Sequence, residues 1–338
     1  MPKNTHQNKV DSSSFFSRLL RTFRTNSLPD IFFDLDSKKG QEKVRKTILD
    51  CGANRSKLLM GTHPEGTSRL INVSLPLALV GPAGSGKTYL NKIFAAQYAL
   101  MGYPVLFVDC APDSETRQDL FNITSGSPLK WMDLSIIEEK GKDTFSDAES
   151  NQELDFYLGA LSTPFFAYWS PSKGTFDEVK QQIERATKSL QRFVRQRNGN
   201  NLGLYEYSPG TTKPILVVIS DAEKMADCVG TVFLDSILKL SRLSSTNFIY
   251  DTQFASLLDM KKSRSTFNYC LLRGASIEGM DEFTKARANS LSTGQALVYT
   301  KDLAPKITGS FHEGIFLPEV VSLISRKVTF GESARQAF

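Results

Sequence analysis

The sequence predicts an α/β fold in which helices cover both faces of a mainly parallel β-sheet. Short apolar runs typical of buried strands alternate with longer stretches of helical period, an order that favours parallel strands. The main runs are 77–80, 104–109, 215–219, 247–250, 269–272 and 296–299. With 40% hydrophobic residues among 338, the chain has enough apolar side chains for a large core.

The composition of the chain argues against a membrane-spanning, a secreted or a zinc-binding protein. No apolar run reaches the ~18–20 residues that span a bilayer, and no secretory signal is present, so we expect a cytoplasmic protein. Four widely separated cysteines and three histidines predict reduced thiols and no zinc site. The net charge of +5 permits binding to nucleic acid or acidic lipid and favours neither.

The pattern divides the chain into three parts. Residues 1–30 predict a basic amphipathic segment, which either docks on a membrane or membrane-protein partner or packs on the protein's own core. Residues 31–129 and 213–338 carry the strand–helix alternation of the main domain. Residues 130–212 are polar, contain both tryptophans and one clear helix at 176–197, and are interpreted as a mostly helical insertion.

Local signals place the elements in order. A strand at 31–35 and a helix at 41–51 precede two runs, 58–61 and 69–73, whose connection His-Pro-Glu-Gly predicts a hairpin. A helix is expected at 88–101, directly after a glycine-rich loop. The helix at 176–197 has apolar residues at a 3.6-residue period and Thr175 as its cap.

The glycine-rich loop carries the most specific motif of the sequence. Residues Gly81-Pro82-Ala83-Gly84-Ser85-Gly86-Lys87-Thr88 match GxxxxGK[ST], with a strand before and a helix after. In such a loop, backbone N–H groups cradle the β-phosphate, the lysine reaches the β- and γ-phosphates, and the hydroxyl binds Mg²⁺. The sequence therefore predicts a P-loop that binds ATP and Mg²⁺, with Thr88 as a metal ligand.

A P-loop ATPase also needs carboxylates at the end of a neighbouring strand. Asp109 and Asp221 both end predicted strands, and Asp221 is favoured because its strand is longer and acids follow it. If Asp221 is the metal-side acid, Ala222 stands where a catalytic glutamate is common. If the two acidic positions are instead aligned one residue earlier, Ser220 stands at the position of the metal-binding acid and Asp221 at that of the catalytic acid. Glu223 could compensate, but in an extended segment it faces away from Ala222.

Four stretches, in order along residues 58–300, resemble the HerA–FtsK superfamily and most of all the coupling proteins of type IV secretion. They are the approach to the P-loop LLMGTHPEGTSRLINVSLPLALVGPAGSGKT, the second strand PVLFVDCAPDSETRQDLFNITSG, the segment LKLSRLSSTNFIYDTQFASLL and the closing strand NSLSTGQALVYT. The resemblance implies a RecA-like, additional-strand domain. The chain departs from the coupling proteins at Cys110-Ala111, where they have lysine-glycine, and in lacking their membrane-spanning helices.

The resemblance also assigns roles to matching residues. Gln253, at the end of the segment FIYDTQ, would be the sensor of the γ-phosphate, against the simpler interpretation of a surface glutamine. Arg242 would be the arginine finger that reaches into a neighbouring subunit. The alternative interpretation is that Arg242 is an ordinary solvated residue of a helix. Lys87 and Asp221 complete the implied catalytic set.

Two hypotheses of different class follow. The first is an ATP-hydrolysing homo-oligomeric ring, a hexamer by resemblance, that moves DNA or a DNA–protein substrate. The second is a nucleotide-dependent scaffold with little or no turnover, which the unusual acids at 220–223 favour. A P-loop kinase or GTPase is a third interpretation, although the sequence has no Asn-Lys-x-Asp motif for guanine.

Overall fold

The fold was analysed in a computed structural model of the chain. It describes residues 46, 57–62, 68–73, 75–112, 114–125, 127, 129–135, 165–199, 215–231, 246–253, 268–291, 295–299 and 312–315. The predicted segment 1–30, the strand at 31–35 and, apart from the helical Lys46, the helix at 41–51 lie outside these residues. Arg242 also lies outside them.

The described part of the chain contains eleven strands and five helices. The strands are β1 Lys57–Thr62, β2 Ser68–Asn72, β3 Leu77–Val80, β4 Val105–Asp109, β5 Lys130–Asp133, β6 Phe165–Trp169, β7 Ile215–Ser220, β8 Thr246–Thr252, β9 Asn268–Leu272, β10 Gln295–Tyr299 and β11 His312–Ile315. The helices are α1 Lys87–Leu100, α2 Ser114–Ser125, α3 Phe176–Gly199, α4 Ala222–Val229 and α5 Glu282–Ser290.

All eleven strands form one sheet in the order β2-β1-β11-β10-β9-β3-β8-β7-β4-β6-β5. The seven strands from β9 to β5 are parallel to one another, whereas the pairs β9–β10, β10–β11, β11–β1 and β1–β2 are antiparallel. Strand β8 lies between β3, which leads into the glycine-rich loop, and β7, which leads into Asp221. This inserted strand confirms the predicted additional-strand, RecA-like α/β fold.

Helices cover both faces of the sheet because side chains alternate along each strand. In β3, Leu77 and Leu79 face a cluster that includes Leu90 and Phe94 of α1. Ala78 and Val80 belong to the opposite cluster, which contains residues of α3, α4 and α5. Fully buried strands such as β4 and β7 therefore appear in the sequence as nearly continuous apolar runs.

The predicted hairpin is confirmed, since β1 and β2 pair antiparallel from Lys57↔Asn72 to Thr62↔Ser68. Its register shifts between Leu59 and Gly61, which marks a bulge. The long helix is also found, and it begins with a capping box in which Thr175 and Glu178 bond to each other's backbone N–H groups.

The described part of 130–212 differs from the expected mostly helical insertion. Two of its three elements are strands, β5 and β6, and both extend the main sheet in parallel beyond β4. The aromatic run Phe165–Trp169 packs in the two core clusters, and Trp131 stacks on Phe166 at the sheet edge. Polar flanking sequence concealed these strands. Residues 136–164 and 200–214 are outside the described part, so the boundary of an insertion stays a prediction.

Candidate functional site: a phosphate loop beside three carboxylates

The loop between β3 and α1 has the backbone that a phosphate cradle requires. Gly84 and Gly86 have φ angles of 74° and 96°, which side-chain-bearing residues rarely adopt. Gly81 must lack a side chain because a Cβ there would lie 2.5 Å from the Ser85 Oγ and 3.0 Å from the Leu272 Cβ. No side chain caps the N-terminus of α1 at Gly86, so its first N–H groups are open to an anion.

Lys87, the first residue of α1, directs its side chain back to the start of this loop. Its ammonium donates hydrogen bonds to the carbonyl oxygens of Gly81, at 2.8 Å, and Pro82, at 3.1 Å. The residue is only 7% exposed, so its charge is held inside the loop and away from bulk water. Thr88 follows in the first turn of α1, half-buried. Ser85 contributes a buried hydroxyl with no hydrogen-bond partner among the described residues.

The acids meet the loop at the same edge of the sheet, where parallel strands end together. Asp221 follows β7 and has φ 54° and ψ 54°, the one positive φ outside glycine among the described residues. Helix α4 then begins immediately, at Ala222. The extended conformation assumed for this segment is therefore wrong, because the left-handed turn at Asp221 brings Glu223 into the first helical turn.

Glu223 consequently lies in the site. Its carboxylate and those of Asp221 and Asp251 have oxygen atoms within 4.8 Å of one another. The backbone N–H of Gln253 donates a hydrogen bond to the Glu223 carboxylate. The Oε2 atom of Glu223 is nevertheless buried with no partner among the described residues. Burial raises the pKa of Glu223, as does the neighbouring Asp221, whereas Lys87 opposes the shift.

Asp251, near the end of β8, is the most buried of these acids, with 0% exposure. Its oxygens accept hydrogen bonds from the Asp221 backbone N–H at 2.9 Å, from the Ser220 hydroxyl at 3.1 Å and from the Asn91 amide of α1. Burial raises the pKa of Asp251 to about 7, although the hydrogen bond from Asp221 works in the opposite direction.

The other two predicted residues are placed as follows. Gln253 comes directly after β8, and Thr252 pairs with Val80 while its carbonyl accepts from the Gly81 N–H at 3.3 Å. Gln253 is therefore next to the phosphate loop, with an exposed side chain. Arg242 cannot be placed against the loop, because it lies outside the described residues.

The structure distinguishes Asp109 from Asp221, the two aspartates that end strands and could serve as the acid beside the loop. Asp109 is buried at the end of β4, and it accepts from the Tyr168 hydroxyl at 3.1 Å and the Ala111 N–H at 3.3 Å. Asp221 is only half-buried and lies two residues before Glu223. Ala222 packs in the apolar core and contributes nothing polar to the site.

The residues present fit a hydrated Mg²⁺ beside a triphosphate. Hard oxygen ligands suit this ion, and Thr88 and Asp221 provide a hydroxyl and a carboxylate, while the nearby Glu223 carboxylate can accept from a water molecule of the hydration shell. The unpartnered Oε2 of Glu223 is the observation that supports the fit, because a buried carboxylate oxygen normally has a partner. Asp251 is less suited to an ion, since three protein donors already use its oxygens.

Sequence reasoning missed Asp251 and Asn91, and it left Glu223 in an uncertain orientation. An acid directly after the apolar residues Phe-Ile-Tyr of β8 was the available signal for Asp251, because an isolated buried carboxylate is costly and must have partners. Asn91 had only its spacing: it follows Lys87 by one helical turn and so lies on the same side of α1.

Comparisons with known proteins agree with this fold. No protein-family profile and no curated protein sequence matches the chain. Among solved structures, VirB4 of Thermoanaerobacter pseudethanolicus is similar over 78% of this chain and 96% of its own, with a TM-score of 0.51 and 9% identity. This likeness shows that the chain has the same fold as VirB4.

Two further structures show weaker likeness. The genome packaging NTPase B204 of Sulfolobus turreted icosahedral virus 2, in complex with ATP-gammaS, is similar over 73% of this chain and all of its own, with a TM-score of 0.42 and 13% identity. The pCW3 conjugation coupling protein TcpA covers 79% of this chain and 70% of its own, with a TM-score of 0.41 and 12% identity.

No helix in the described part of the chain has both the length and the apolar character needed to cross a membrane.

Proposed function

We propose that this chain is a HerA–FtsK type ATPase that binds ATP and Mg²⁺ at the loop 81–88 and hydrolyses the nucleotide. The observation that carries the proposal is the arrangement at one end of the parallel strands. The loop that holds Lys87 follows β3, and the acid cluster that contains Asp221 and Glu223 follows β7, with β8 between the two strands. A phosphate cradle and a buried carboxylate with an unpartnered oxygen are the two parts that phosphoryl transfer to water requires.

In the proposed reaction Lys87 and the N–H groups of the loop bind and orient the β- and γ-phosphates. Thr88 and Asp221 would hold Mg²⁺, which, when bound, neutralises charge on the phosphate oxygens. Glu223 accepts a proton from a water molecule, and the oxygen of that water forms a bond to the γ-phosphorus. At the same time the bond between the γ-phosphorus and the β–γ bridging oxygen breaks, and this oxygen leaves with ADP. The products are ADP and inorganic phosphate. Gln253 would contact the γ-phosphate from the end of β8.

We further propose that the chain works as a homo-oligomeric ring, a hexamer by resemblance, that moves DNA or a DNA–protein substrate. Arg242 of one subunit would complete the site of the next by neutralising charge in the transition state. The segment 1–30 would dock the ring on a membrane-protein partner. These points rest on the resemblance of the sequence motifs.

A nucleotide-dependent scaffold is the second candidate. It is favoured by the core position of Ala222, where many P-loop ATPases carry a catalytic glutamate, and by the raised pKa of Glu223, which makes this acid easier to protonate. In a scaffold, bound ATP stabilises a ring or a partner interface and is not turned over.

The test is steady-state ATP turnover with Mg²⁺, with and without double-stranded DNA, alongside mass measurement of the assembly. The motor requires an oligomer whose turnover DNA stimulates and Lys87→Ala abolishes. Tight Mg-ATP binding and oligomerisation without turnover would establish the scaffold in its place. A monomer that neither binds nor hydrolyses ATP would contradict both.

A further inference from the structure

Asp251 connects three separate elements around the site. Strand β8, which carries it, lies between the loop strand β3 and the acid strand β7. One carboxylate oxygen accepts from the Asp221 backbone N–H at 2.9 Å, and the other accepts from the Ser220 hydroxyl at 3.1 Å and from Asn91. The donors belong to the end of β7, the turn before α4, and α1. The carboxylate has no exposed surface.

These bonds act on the one strained backbone position of the acid segment. A residue with a Cβ resists the left-handed conformation that Asp221 adopts. The hydrogen bond from its N–H to Asp251 helps hold that conformation. Because the turn is left-handed, α4 begins at once, and Glu223 faces Asp221 and Asp251 and not away from them. The orientation of Glu223 therefore depends on the acceptor at position 251.

The bond to Asn91 extends the effect to the phosphate loop. Asn91 lies one helical turn after Lys87 on α1, and both residues are buried. Asp251 thus ties the helix that carries Lys87 and Thr88 to the turn that carries Asp221 and Glu223. A single buried carboxylate therefore couples the two halves of the site.

We propose that Asp251 is a positioning residue that sets the geometry between the phosphate loop and the acids Asp221 and Glu223. This inference rests on the proposed ATPase function. Asp251 acts as a hydrogen-bond acceptor for three protein donors, and it neither binds the metal nor takes the proton. An acceptor of the same shape should replace it, whereas removal of the acceptor should release the turn.

The test compares Asp251→Asn with Asp251→Ala. Asparagine keeps an oxygen for the Asp221 N–H. Its NH2 group can donate to the Ser220 hydroxyl oxygen and, once the Asn91 amide turns over, to the Asn91 Oδ1, which is buried with no partner among the described residues. We expect Asp251→Asn to keep kcat within about threefold of wild type. For Asp251→Ala we expect kcat to fall on the order of 100-fold, with a smaller change in the KM for ATP. Asp227→Asn, an exposed acid on α4, is the matched control.

A second measurement does not depend on turnover. Amide hydrogen exchange of the segment 219–225 is followed in nucleotide-free protein for the same variants. Loss of the buried acceptor should accelerate exchange at this segment by roughly 2–10-fold in Asp251→Ala, and leave it unchanged in Asp251→Asn. If wild-type protein shows no turnover, the proposed ATPase function fails, and the exchange rates still decide the positioning role.

Two results would overturn the inference. Wild-type exchange in Asp251→Ala would show that Asp221 holds its conformation without the acceptor. Equal loss of turnover in Asp251→Asn and Asp251→Ala would show that the charge of the carboxylate is needed, as for a metal ligand.

Discussion

The backbone N–H of Asp221 donates a 2.9 Å hydrogen bond to the buried carboxylate of Asp251. The bond joins the turn after β7 to the neighbouring strand β8, and its donor is the one left-handed non-glycine residue among the described residues. The consequence for the site is the inward position of Glu223, which provides a second acid where the sequence register has Ala222. Asp221 and Glu223 are therefore the two carboxylates that we propose for ATP hydrolysis at this site.

The first prediction concerns Glu223. Glu223→Gln removes the proposed proton acceptor but keeps the size and polarity of the side chain, so Mg-ATP should still bind. Turnover should fall by about 10²–10⁴-fold, the usual contribution of a general base. Steady-state phosphate release and equilibrium nucleotide binding separate the two effects.

The same variant can contradict the role proposed for Glu223. If turnover by wild type is measurable and Glu223→Gln leaves it unchanged, Glu223 is not the base. Asp227→Asn on the exposed side of α4 is the control for a change of charge in this helix.

The second prediction concerns Gly86, whose φ of 96° is strained for any other residue. In Gly86→Ala the loop should relax to a different backbone, and nucleotide binding must then restore the strained one. A cost of about 1–2 kcal/mol corresponds to roughly 5–30-fold weaker Mg-ATP binding. Equilibrium titration measures this change.

Gly230→Ala is a matched control for this loop substitution. Gly230 also has a positive φ, 84°, and open space where a Cβ would stand, but it lies after α4 and away from the loop. Gly230→Ala should lower the free energy of unfolding by about 1–2 kcal/mol, the same strain as in Gly86→Ala, and should leave nucleotide affinity unchanged. Equal loss of affinity in both variants would contradict a specific role for the Gly86 backbone.

The third prediction concerns stability. Gln97 of α1 is fully buried, and its amide bonds to both the N–H and the carbonyl of Leu59, each at 2.8 Å, at the bulge of β1. Gln97→Leu leaves both backbone groups unpaired, so the free energy of unfolding should fall by roughly 2–6 kcal/mol. Urea denaturation measures it.

Gln118→Leu is the control for that stability change, because Gln118 is an exposed glutamine on α2. Its replacement should change the free energy of unfolding by less than about 0.5 kcal/mol. Equal stability of the two variants would show that the pairing of Gln97 with Leu59 contributes nothing.

The sequence predicted the parts of the fold that depend on local pattern. Continuous apolar runs identified β3, β4 and β7 because strands buried on both faces need apolar residues throughout. The glycine spacing identified the loop 81–88, since the backbone there requires φ angles that glycine provides. The turn His-Pro-Glu-Gly identified the β1–β2 hairpin.

Features that depend on distant contacts were not predictable. The β5 and β6 strands are short and lie in polar sequence, and the sheet edge that pairs with them is formed by β4. The left-handed turn at Asp221 depends on an acceptor 30 residues away. The position of Glu223 follows from that contact and could not be read from residues 220–223 alone.

The most direct test of the account is equilibrium titration of Mg-ATP into wild-type protein and Lys87→Ala. Lys130→Ala is the control, because Lys130 is an exposed lysine at the start of the outermost strand β5. The loop 81–88 instead follows the end of the central strand β3. We expect wild type and Lys130→Ala to bind with equal affinity, and Lys87→Ala to bind at least about tenfold more weakly. Absence of binding to wild type, or equal binding by Lys87→Ala, would contradict a nucleotide site at the loop 81–88.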